Sequence, residues 1–206
     1  MQNAVAYGFD LDNTFLRTEE LKVAMARMCH EHFPHVTERI FQASYADHRA
    51  MNRGKAHIHG ILAEVAHRAK LSKENTTWLI SGFLETIPYQ EYVFSGARQL
   101  ITDLGPNNVF LMTKSPDVAY QRQKLDACNL PFFRDNVHEW IVEAKNPDVF
   151  AQWIAMMQDR GATHLVYGSD EAPEILFAHD AAVNAGLGFE GVHHQYGPYW
   201  KEGLGR

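Results

Sequence analysis

Cysteine, runs of basic residues and long apolar segments are all scarce in this sequence. The two cysteines, Cys29 and Cys128, lie far apart and match neither a zinc-binding spacing nor a disulfide framework. We therefore expect reduced thiols in a cytoplasmic protein. No apolar run is long enough to span a bilayer, and the first ten residues, MQNAVAYGFD, lack the pattern of a secretory signal. These absences predict a protein without membrane association.

The charge balance is mildly acidic. Asp and Glu number 25 against 19 Lys and Arg, which gives a formal net charge of −6. Proteins that bind nucleic acids or anionic lipid usually carry a cluster of basic residues, so we expect neither as a partner. An anionic ligand would have to be bound by a few local groups. At 206 residues, 46% of them hydrophobic, the chain can form one core and a small second one.

The segment from residue 17 to residue 88 has the spacing of helices. Its apolar residues recur at three- and four-residue steps, which place them on one face of a helix. These sets are Leu21, Met25 and Met28; Ile40, Phe41 and Tyr45; Ile58, Ile61, Leu62 and Val65; and Trp78, Leu79 and Phe83. Turn residues separate the four sets. Four helices joined by short loops can form a bundle, so the segment is predicted to be a helical domain.

On both sides of this segment the pattern changes to short apolar runs that alternate with helices. The runs cover residues 5–9, 109–112, 137–142, 165–167 and 188–192. Helix starts are indicated by Ser95, Ser115 and Asn146, and three glycines, Gly105, Gly161 and Gly186, stand where helices should end. Strands buried on both faces that alternate with helices form a doubly wound, mainly parallel sheet. The sequence predicts a Rossmann-like α/β core from residues 1–16 and 89–206, with the four-helix cap domain 17–88 inserted.

The first apolar run ends in two aspartates, in the stretch AVAYGFDLDNTFL. In open α/β sheets, ligands bind at the carboxyl ends of the strands. Residues two apart on an extended chain face the same side, so Asp10 and Asp12 can both point at one ligand. Two carboxylates this close repel each other unless a cation relieves them, and Mg²⁺ is a suitable one. The alternative is a solvated turn capped by Asp12 or Asn13.

Polar residues also follow the other predicted strands. Thr113 ends the second, where its hydroxyl could donate to a phosphoryl oxygen. Lys145 lies between the third and a helix start, where its ammonium could neutralise a carboxylate and a phosphoryl group. An acidic loop, GSDEAPE, follows the fourth strand. Its Asp170 and Glu174 could complete a metal site begun by Asp10.

Four sequence elements in this order resemble the motifs of the haloacid dehalogenase-like hydrolase superfamily. They are FDLDNT, MTKS, Lys145 before a helix, and YGSDEAPEI. The helical segment after the first element matches the position of a cap domain in that superfamily. The resemblance covers essentially the whole chain.

The resemblance implies a role for each matching residue. Asp10 would be the nucleophile that forms an aspartyl-phosphate, and Asp12 would be the general acid and base. The carboxylate of Asp10, the backbone carbonyl of Asp12 and Asp170 would hold Mg²⁺. Thr113 would bind phosphoryl oxygens, and Lys145 would hold the nucleophile. Dehalogenating members lack the second aspartate, so Asp12 favours phosphoryl transfer over cleavage of a carbon–halogen bond.

The chain departs from the superfamily pattern at three places. Ser169 stands where glycine usually precedes the metal aspartate, and Glu174 stands where aspartate is commoner, which makes Glu171 a rival ligand. The proline that usually follows the lysine at once is displaced by one residue. For this reason Lys114, next to the threonine of the second motif, is an alternative to Lys145 as the catalytic lysine and a candidate for substrate binding.

Substrate specificity is expected to come from the cap. A basic patch there contains Arg49 and Arg53, which are candidate substrate-binding residues, with Lys55, His57 and His59 nearby. The alternative is that these residues form the polar faces of two helices. His57 and His59 do not share a helix face and are not expected to bind zinc as a pair.

These features predict a magnesium-dependent phosphatase that hydrolyses a small phosphorylated metabolite through an aspartyl-phosphate. A phosphomutase with the same chemistry is the nearest alternative. Another is a protein that has lost catalysis and binds a phosphorylated ligand or a protein partner. The identity of the substrate and the oligomeric state stay open.

Overall fold

A computed structural model describes residues 4–52 and 57–194. Its strands are β1 (Ala4–Phe9), β2 (Val109–Lys114), β3 (Glu139–Val142), β4 (Ala162–Ser169) and β5 (Gly188–His193). They form one sheet in the order β3-β2-β1-β4-β5, and every pairing is parallel. The strand order reverses at β1, because β2 pairs with one edge of that strand and β4 with the other. The predicted doubly wound parallel sheet is confirmed.

The α-helices also follow the predicted order. They are α1 (Thr18–His32), α2 (Glu38–Met51), α3 (Ile58–Arg68), α4 (Lys73–Ser81), α5 (Ala97–Leu104), α6 (Val118–Cys128), α7 (Pro147–Asp159) and α8 (Ala172–Asn184). Asn146 caps α7 as predicted, since its side chain accepts a hydrogen bond from the backbone N–H of Val149. The start of α5 differs from the prediction. The helix follows Gly96, one residue after Ser95, and glycine adopts the left-handed φ of 87° found there without strain.

The described chain forms two compact units. The sheet unit comprises residues 4–17, 93–114 and 129–194, and contains α5, α7 and α8 with all five strands. The helical unit comprises residues 18–52, 57–92 and 115–128, and contains α1 to α4 together with α6. The domain limits at residues 17 and 88, and the role of the helical segment as a cap, stay predictions.

The sheet unit is built around large buried side chains. Trp153 and Phe150 of α7 pack with Tyr167 of β4, and all three are at most 1% exposed. A side chain at Gly8 would meet the Trp153 ring at 2.5 Å, so β1 can approach α7 only because this residue is glycine. This packing makes β1 and β4 rigid supports for the residues that follow them.

Among the helices of residues 4–52 and 57–194, none combines the length and the apolar character that a membrane span requires.

Candidate active site

Charged side chains collect at the carboxyl ends of three neighbouring strands. Asp10 follows β1, Lys114 ends β2 and Asp170 follows β4. The N–H of Asp10 donates to the carbonyl of Gly168 at 2.9 Å, which extends the pairing of β1 and β4 to the ends of the strands. Because the strands are parallel, these ends lie at one edge of the sheet, which is where α/β proteins bind ligands.

A buried ion pair joins Asp10 to Lys145. The Lys145 ammonium lies 2.7 Å from Asp10 Oδ1, and the exposed fractions of the two side chains are 0% and 9%. Lys145 lies between β3 and α7, and α7 begins at Pro147 directly after its cap. Of the two lysines considered from the sequence, Lys145 is therefore the one that contacts the proposed nucleophile. A buried charge pair of this kind requires good geometry and further hydrogen bonds.

Glu174 supplies the second carboxylate around Lys145. Its Oε2 accepts hydrogen bonds from Lys145 Nζ and from Ser169 Oγ, each at 2.7 Å, and from the Tyr167 hydroxyl at 3.4 Å. Its Oε1 accepts from Lys114 Nζ at 3.4 Å. The metal-ligand role predicted for Glu174 stays a prediction. The structure shows a carboxylate that is 3% exposed and surrounded by protein donors.

The electrostatics of this cluster are dominated by burial and by excess negative charge. Burial, together with the nearby charges of Glu174 and Asp12, raises the pKa of Asp10 to about 7 against the opposing effect of Lys145. Burial also raises the pKa of Asp170 above its usual value. For Lys145, burial alone would lower the pKa, but its two carboxylate partners raise it, so the lysine carries a proton. The cluster therefore favours an additional cation.

A tight turn carries Asp12 and Asn13 away from β1. The Leu11 carbonyl accepts from three successive N–H groups, those of residues 14, 15 and 16, at 2.9–3.3 Å. Asn13 adopts a left-handed φ of 56°, which asparagine tolerates better than most residues. Its Nδ2 donates to Asp170 Oδ2 at 3.1 Å. The turn thus links the first motif directly to the acidic loop after β4.

Lys114 is paired with the acidic loop. Its ammonium forms an ion pair with Glu171 in addition to the longer contact with Glu174, and both Lys114 and Glu171 are about half exposed. Burial opposes the charge of Lys114, but the hydrogen bond to Glu171 and the charge of Glu174 raise its pKa. Lys114 and Lys145 therefore meet at the same glutamate, with Lys114 on the solvent side of the cluster.

Comparisons with known proteins agree with this architecture. A haloacid dehalogenase-like hydrolase of Burkholderia xenovorans LB400 superimposes with a TM-score of 0.66 at 18% identity, over 98% of this chain and 88% of its own. A haloacid dehalogenase-like family hydrolase of Xanthomonas campestris superimposes with a TM-score of 0.59 at 15% identity, over 95% of this chain and 83% of its own. The HAD-hydrolase YfnB of Bacillus subtilis, in a magnesium-bound structure, superimposes with a TM-score of 0.54 at 17% identity, over 91% of this chain and 86% of its own.

The chain has the haloacid dehalogenase-like (HAD-like) fold. No protein-family model and no curated protein matches the sequence. At these identities the likeness is one of fold, so the individual site residues rest on the geometry above. The resemblance seen in the four motifs is confirmed at this level.

The other residues of the predicted site take the following places. Thr113 is the penultimate residue of β2 and is 1% exposed. Arg49 lies in the last turn of α2 in the helical unit, and Arg53 and Lys55 lie outside the described residues. The contributions of Thr113 and of both arginines to substrate binding therefore stay predictions. His57 and His59 are in the helical unit, where His59 Nδ1 lies 2.9 Å from Asp117 Oδ2.

The acidic end of the HAD-like sheet fits a hard divalent cation. Over residues 4–52 and 57–194, no group of three or more His, Cys, Asp or Glu side chains is arranged to hold a metal on its own. Mg²⁺ does not require one, because it commonly keeps several waters and takes one or two carboxylates. Asp10 and Asp170 could supply carboxylate oxygens, and the Asp12 carbonyl could add another oxygen ligand. Burial first, and neighbouring carboxylates second, raise the pKa values of Asp10 and Asp170, and a bound cation would favour the charged form of both groups.

The sequence did not predict the side-chain contacts of Asn13, Tyr167 and Ser169. Asn13 had a detectable signal, because an asparagine after D-x-D is suited to a left-handed turn. Ser169 was noted as a departure from the superfamily pattern, but its hydrogen-bond partner could not be identified from the sequence. Tyr167 gave no signal, since a tyrosine in a buried strand is usually part of the core. Its hydroxyl becomes informative only when Glu174 is found beside it.

Proposed function

We propose that this protein is a magnesium-dependent phosphatase that hydrolyses a small phosphorylated metabolite. The observation that supports the proposal best is the buried contact of Lys145 with Asp10 at the carboxyl edge of the sheet. An ammonium held against one carboxylate oxygen leaves the other oxygen available as a nucleophile and balances the charge that builds up around it. The HAD-like fold and the motif D-x-D-x-T support the same chemistry.

In the proposed first step, an Asp10 carboxylate oxygen attacks the phosphorus atom of the substrate. A bond forms between that oxygen and phosphorus while the bond from phosphorus to the leaving oxygen breaks. Asp12 donates a proton to the leaving oxygen, so the dephosphorylated product departs as an alcohol. The phosphoryl group is then carried by Asp10 as an acyl phosphate.

In the proposed second step, Asp12 takes a proton from a water molecule. The water oxygen attacks phosphorus, the bond to Asp10 breaks, and inorganic phosphate leaves. Asp12 thus returns to its protonated form and Asp10 to its carboxylate. Lys145 remains hydrogen-bonded to Asp10 through both steps, and Thr113 is proposed to donate its hydroxyl proton to a phosphoryl oxygen.

Asp10, Asp170 and the backbone carbonyl of Asp12 would hold Mg²⁺ in this proposal. The bound ion would supply positive charge that screens the attack of an anionic nucleophile on an anionic phosphate. Asn13 orients Asp170 through its side-chain amide.

The absence of nucleic-acid partners and the cytoplasmic location also stay predictions.

Phosphate release from p-nitrophenyl phosphate in the presence of Mg²⁺ tests this proposal. We expect turnover by the unaltered chain and its loss in Asp10→Asn, while Asp148→Asn, an exposed acid in the first turn of α7, keeps full activity. Turnover that survives Asp10→Asn contradicts the covalent route. A panel of phosphorylated metabolites then identifies the substrate class. Isomerisation of a sugar phosphate without phosphate release would indicate a phosphomutase, and inactivity on the whole panel would favour a binding protein.

A further inference from the structure

Two hydroxyl groups on β4 converge on Glu174. Tyr167 and Ser169 lie two residues apart on the strand, so their side chains point to the same face of the sheet. Both residues are 0% exposed. Ser169 Oγ donates to Glu174 Oε2 at 2.7 Å, and the Tyr167 hydroxyl approaches the same oxygen at 3.4 Å. We call this pair the hydroxyl cradle.

The hydroxyl cradle is connected to Asp10 through Glu174 and Lys145. Glu174 Oε2 accepts from Lys145 Nζ at 2.7 Å, and Lys145 Nζ lies at the same distance from Asp10 Oδ1. One carboxylate oxygen therefore receives the two hydroxyls and the ammonium. A glutamate has several rotatable bonds, and these donors restrict it to a rotamer that keeps its charge beside Lys145.

Neighbouring side chains and backbone groups pack against both members of the hydroxyl cradle. The Tyr167 ring packs against Phe150 and Trp153 of α7, with ring centroids 5.1 and 6.0 Å away. Ser169 Oγ accepts from the backbone N–H of Glu171 at 3.1 Å, which directs its own proton toward Glu174. A hydrogen-bonding group held by packing can orient the charged group next to it.

We propose that Tyr167 and Ser169 are positioning residues, which hold Glu174 so that Lys145 stays against Asp10. Neither residue contacts the reacting atoms in this proposal. The positioning of Glu174 and Lys145, which we call the geometric part, does not depend on what the protein does. The effect of this positioning on turnover rests on the proposed phosphatase function. Ser169 should hold Glu174 more strongly than Tyr167 does, because the hydrogen bond of Ser169 is short and the contact of Tyr167 is long for a hydroxyl donor.

Crystal structures of Ser169→Ala, Tyr167→Phe and the double variant test the geometric part. Without the cradle, we expect Glu174 to rotate and the Lys145 Nζ to Asp10 Oδ1 distance to exceed about 3.5 Å in the double variant, beyond hydrogen-bonding range. Retention of the 2.7 Å contact in that variant overturns the proposal, whatever its activity.

Matched controls come from the helical unit. Ser44→Ala removes a buried hydroxyl that has no hydrogen-bond partner among the described residues. Tyr89→Phe removes a buried hydroxyl that contacts Tyr120 at 3.4 Å, the same distance as in the cradle. Both controls should leave the contact between Lys145 and Asp10 intact.

Kinetics on p-nitrophenyl phosphate test the consequence for turnover. We expect kcat to fall about tenfold in Ser169→Ala and about threefold in Tyr167→Phe, with KM changed less than about twofold, because hydrogen bonds to a charged group are lost behind the reacting centre. In a Glu174→Ala background both substitutions should have no further effect. Equal losses with and without Glu174 overturn the proposal. Absence of turnover by the unaltered chain refutes the phosphatase function and leaves the crystallographic test valid.

Discussion

Lys145 contacts Asp10 although β2 lies between β3 and β1 in the sheet. The lysine follows the sheet's edge strand β3 and the aspartate follows its central strand β1, so the contact crosses the end of β2. Only a long side chain at the carboxyl edge can span this gap. The same ammonium also contacts Glu174 at 2.7 Å. Lys145 is therefore held between two carboxylates, one directly after β1 and one in the first turn of α8.

Removal of this ammonium should be strongly destabilising. Lys145→Met leaves the buried carboxylates of Asp10 and Glu174 without their shared cation, and we expect the free energy of unfolding to fall by about 3–5 kcal/mol. Lys114→Met is the matched control, because Lys114 is half exposed and should contribute at most about 1 kcal/mol. Urea denaturation of the metal-free proteins measures both. Similar losses for the two lysines would contradict a buried structural role for Lys145.

Magnesium should stabilise the folded chain through Asp170. A ligand that binds only the folded state adds about 2.7 kcal/mol to stability at one hundred times its Kd. We therefore expect Mg²⁺ to raise Tm, and Asp170→Ala to weaken this response strongly while Asp148→Asn preserves it. An unchanged magnesium titration in Asp170→Ala would move the ligand role to Glu171 or Glu174.

Substitution of Asn13 should lower the free energy of unfolding through both its backbone conformation and its side chain. In Asn13→Ala the left-handed φ of 56° becomes strained and the hydrogen bond to Asp170 is lost. We expect a loss of about 2 kcal/mol in unfolding free energy, about half of which Asn13→Gly should recover. Asn129→Ala and Asn129→Gly are the matched controls for backbone strain alone, because Asn129 is exposed and has a φ of 49°. Magnesium affinity should fall in both Asn13 variants, and unchanged affinity would argue against its orienting role.

The helical unit contains a pH-dependent contact at the start of α6. Asp117 is partly buried, which opposes its charge, but the N–H of Tyr120 at 3.0 Å and the ring of His59 lower its pKa below 3.8. The Asp117 carboxylate therefore stabilises the folded state fully above pH 3.8, and this contribution is lost as the pH falls through the lowered pKa.

Substitution of Asp117 tests this contact. At pH 7, Asp117→Ala should cost about 1 kcal/mol because it removes a helix cap, whereas Asp117→Asn should cost less because the amide oxygen can still accept. The difference between the unaltered chain and Asp117→Asn should shrink in denaturation experiments as the pH is lowered from 7 to below 3.8. A difference that is constant across this range would show that the charge of Asp117 contributes nothing.

Arg49, in the last turn of α2, and Arg53 are predicted to determine substrate specificity. Arg49→Ala and Arg53→Ala should change the ranking of phosphorylated metabolites by kcat/KM more than they change turnover of p-nitrophenyl phosphate. Arg39→Ala, an exposed arginine near the start of α2, is the control and should change neither. Equal losses on all substrates would argue against a specificity role.

Much of the fold was predictable because the relevant signals are local. Apolar runs of strand length, helix caps such as Asn146, and glycines with positive φ at residues 105, 161 and 186 each act over a few residues. Parallel pairing follows from the alternation of strands with helices. The boundaries were less accurate, since β2 and β4 both extend beyond their apolar cores into polar residues at their carboxyl ends.

The partners within the candidate site were not predictable. From the sequence, Lys114 and Lys145 were both possible partners of Asp10, because each follows a strand. The hydrogen bonds of Glu174 to the hydroxyls of β4 and to the two lysines were not predicted, and its metal-ligand role stays a prediction. These contacts depend on how far each side chain reaches across the strand ends, which a pattern of residues does not specify.

By itself, the sequence determined where the chemistry is located. The run into Asp10 and Asp12, and the polar residues after the other strands, must meet at one edge because parallel strands end on the same side. The tertiary structure alone decided which groups touch. The Lys145 ammonium contacts both Asp10 and Glu174, and the pleat of β4 directs Tyr167 and Ser169 to that same glutamate. Charges from distant parts of the chain therefore form one buried network, because packing of the sheet against α7 and α8 fixes their distances.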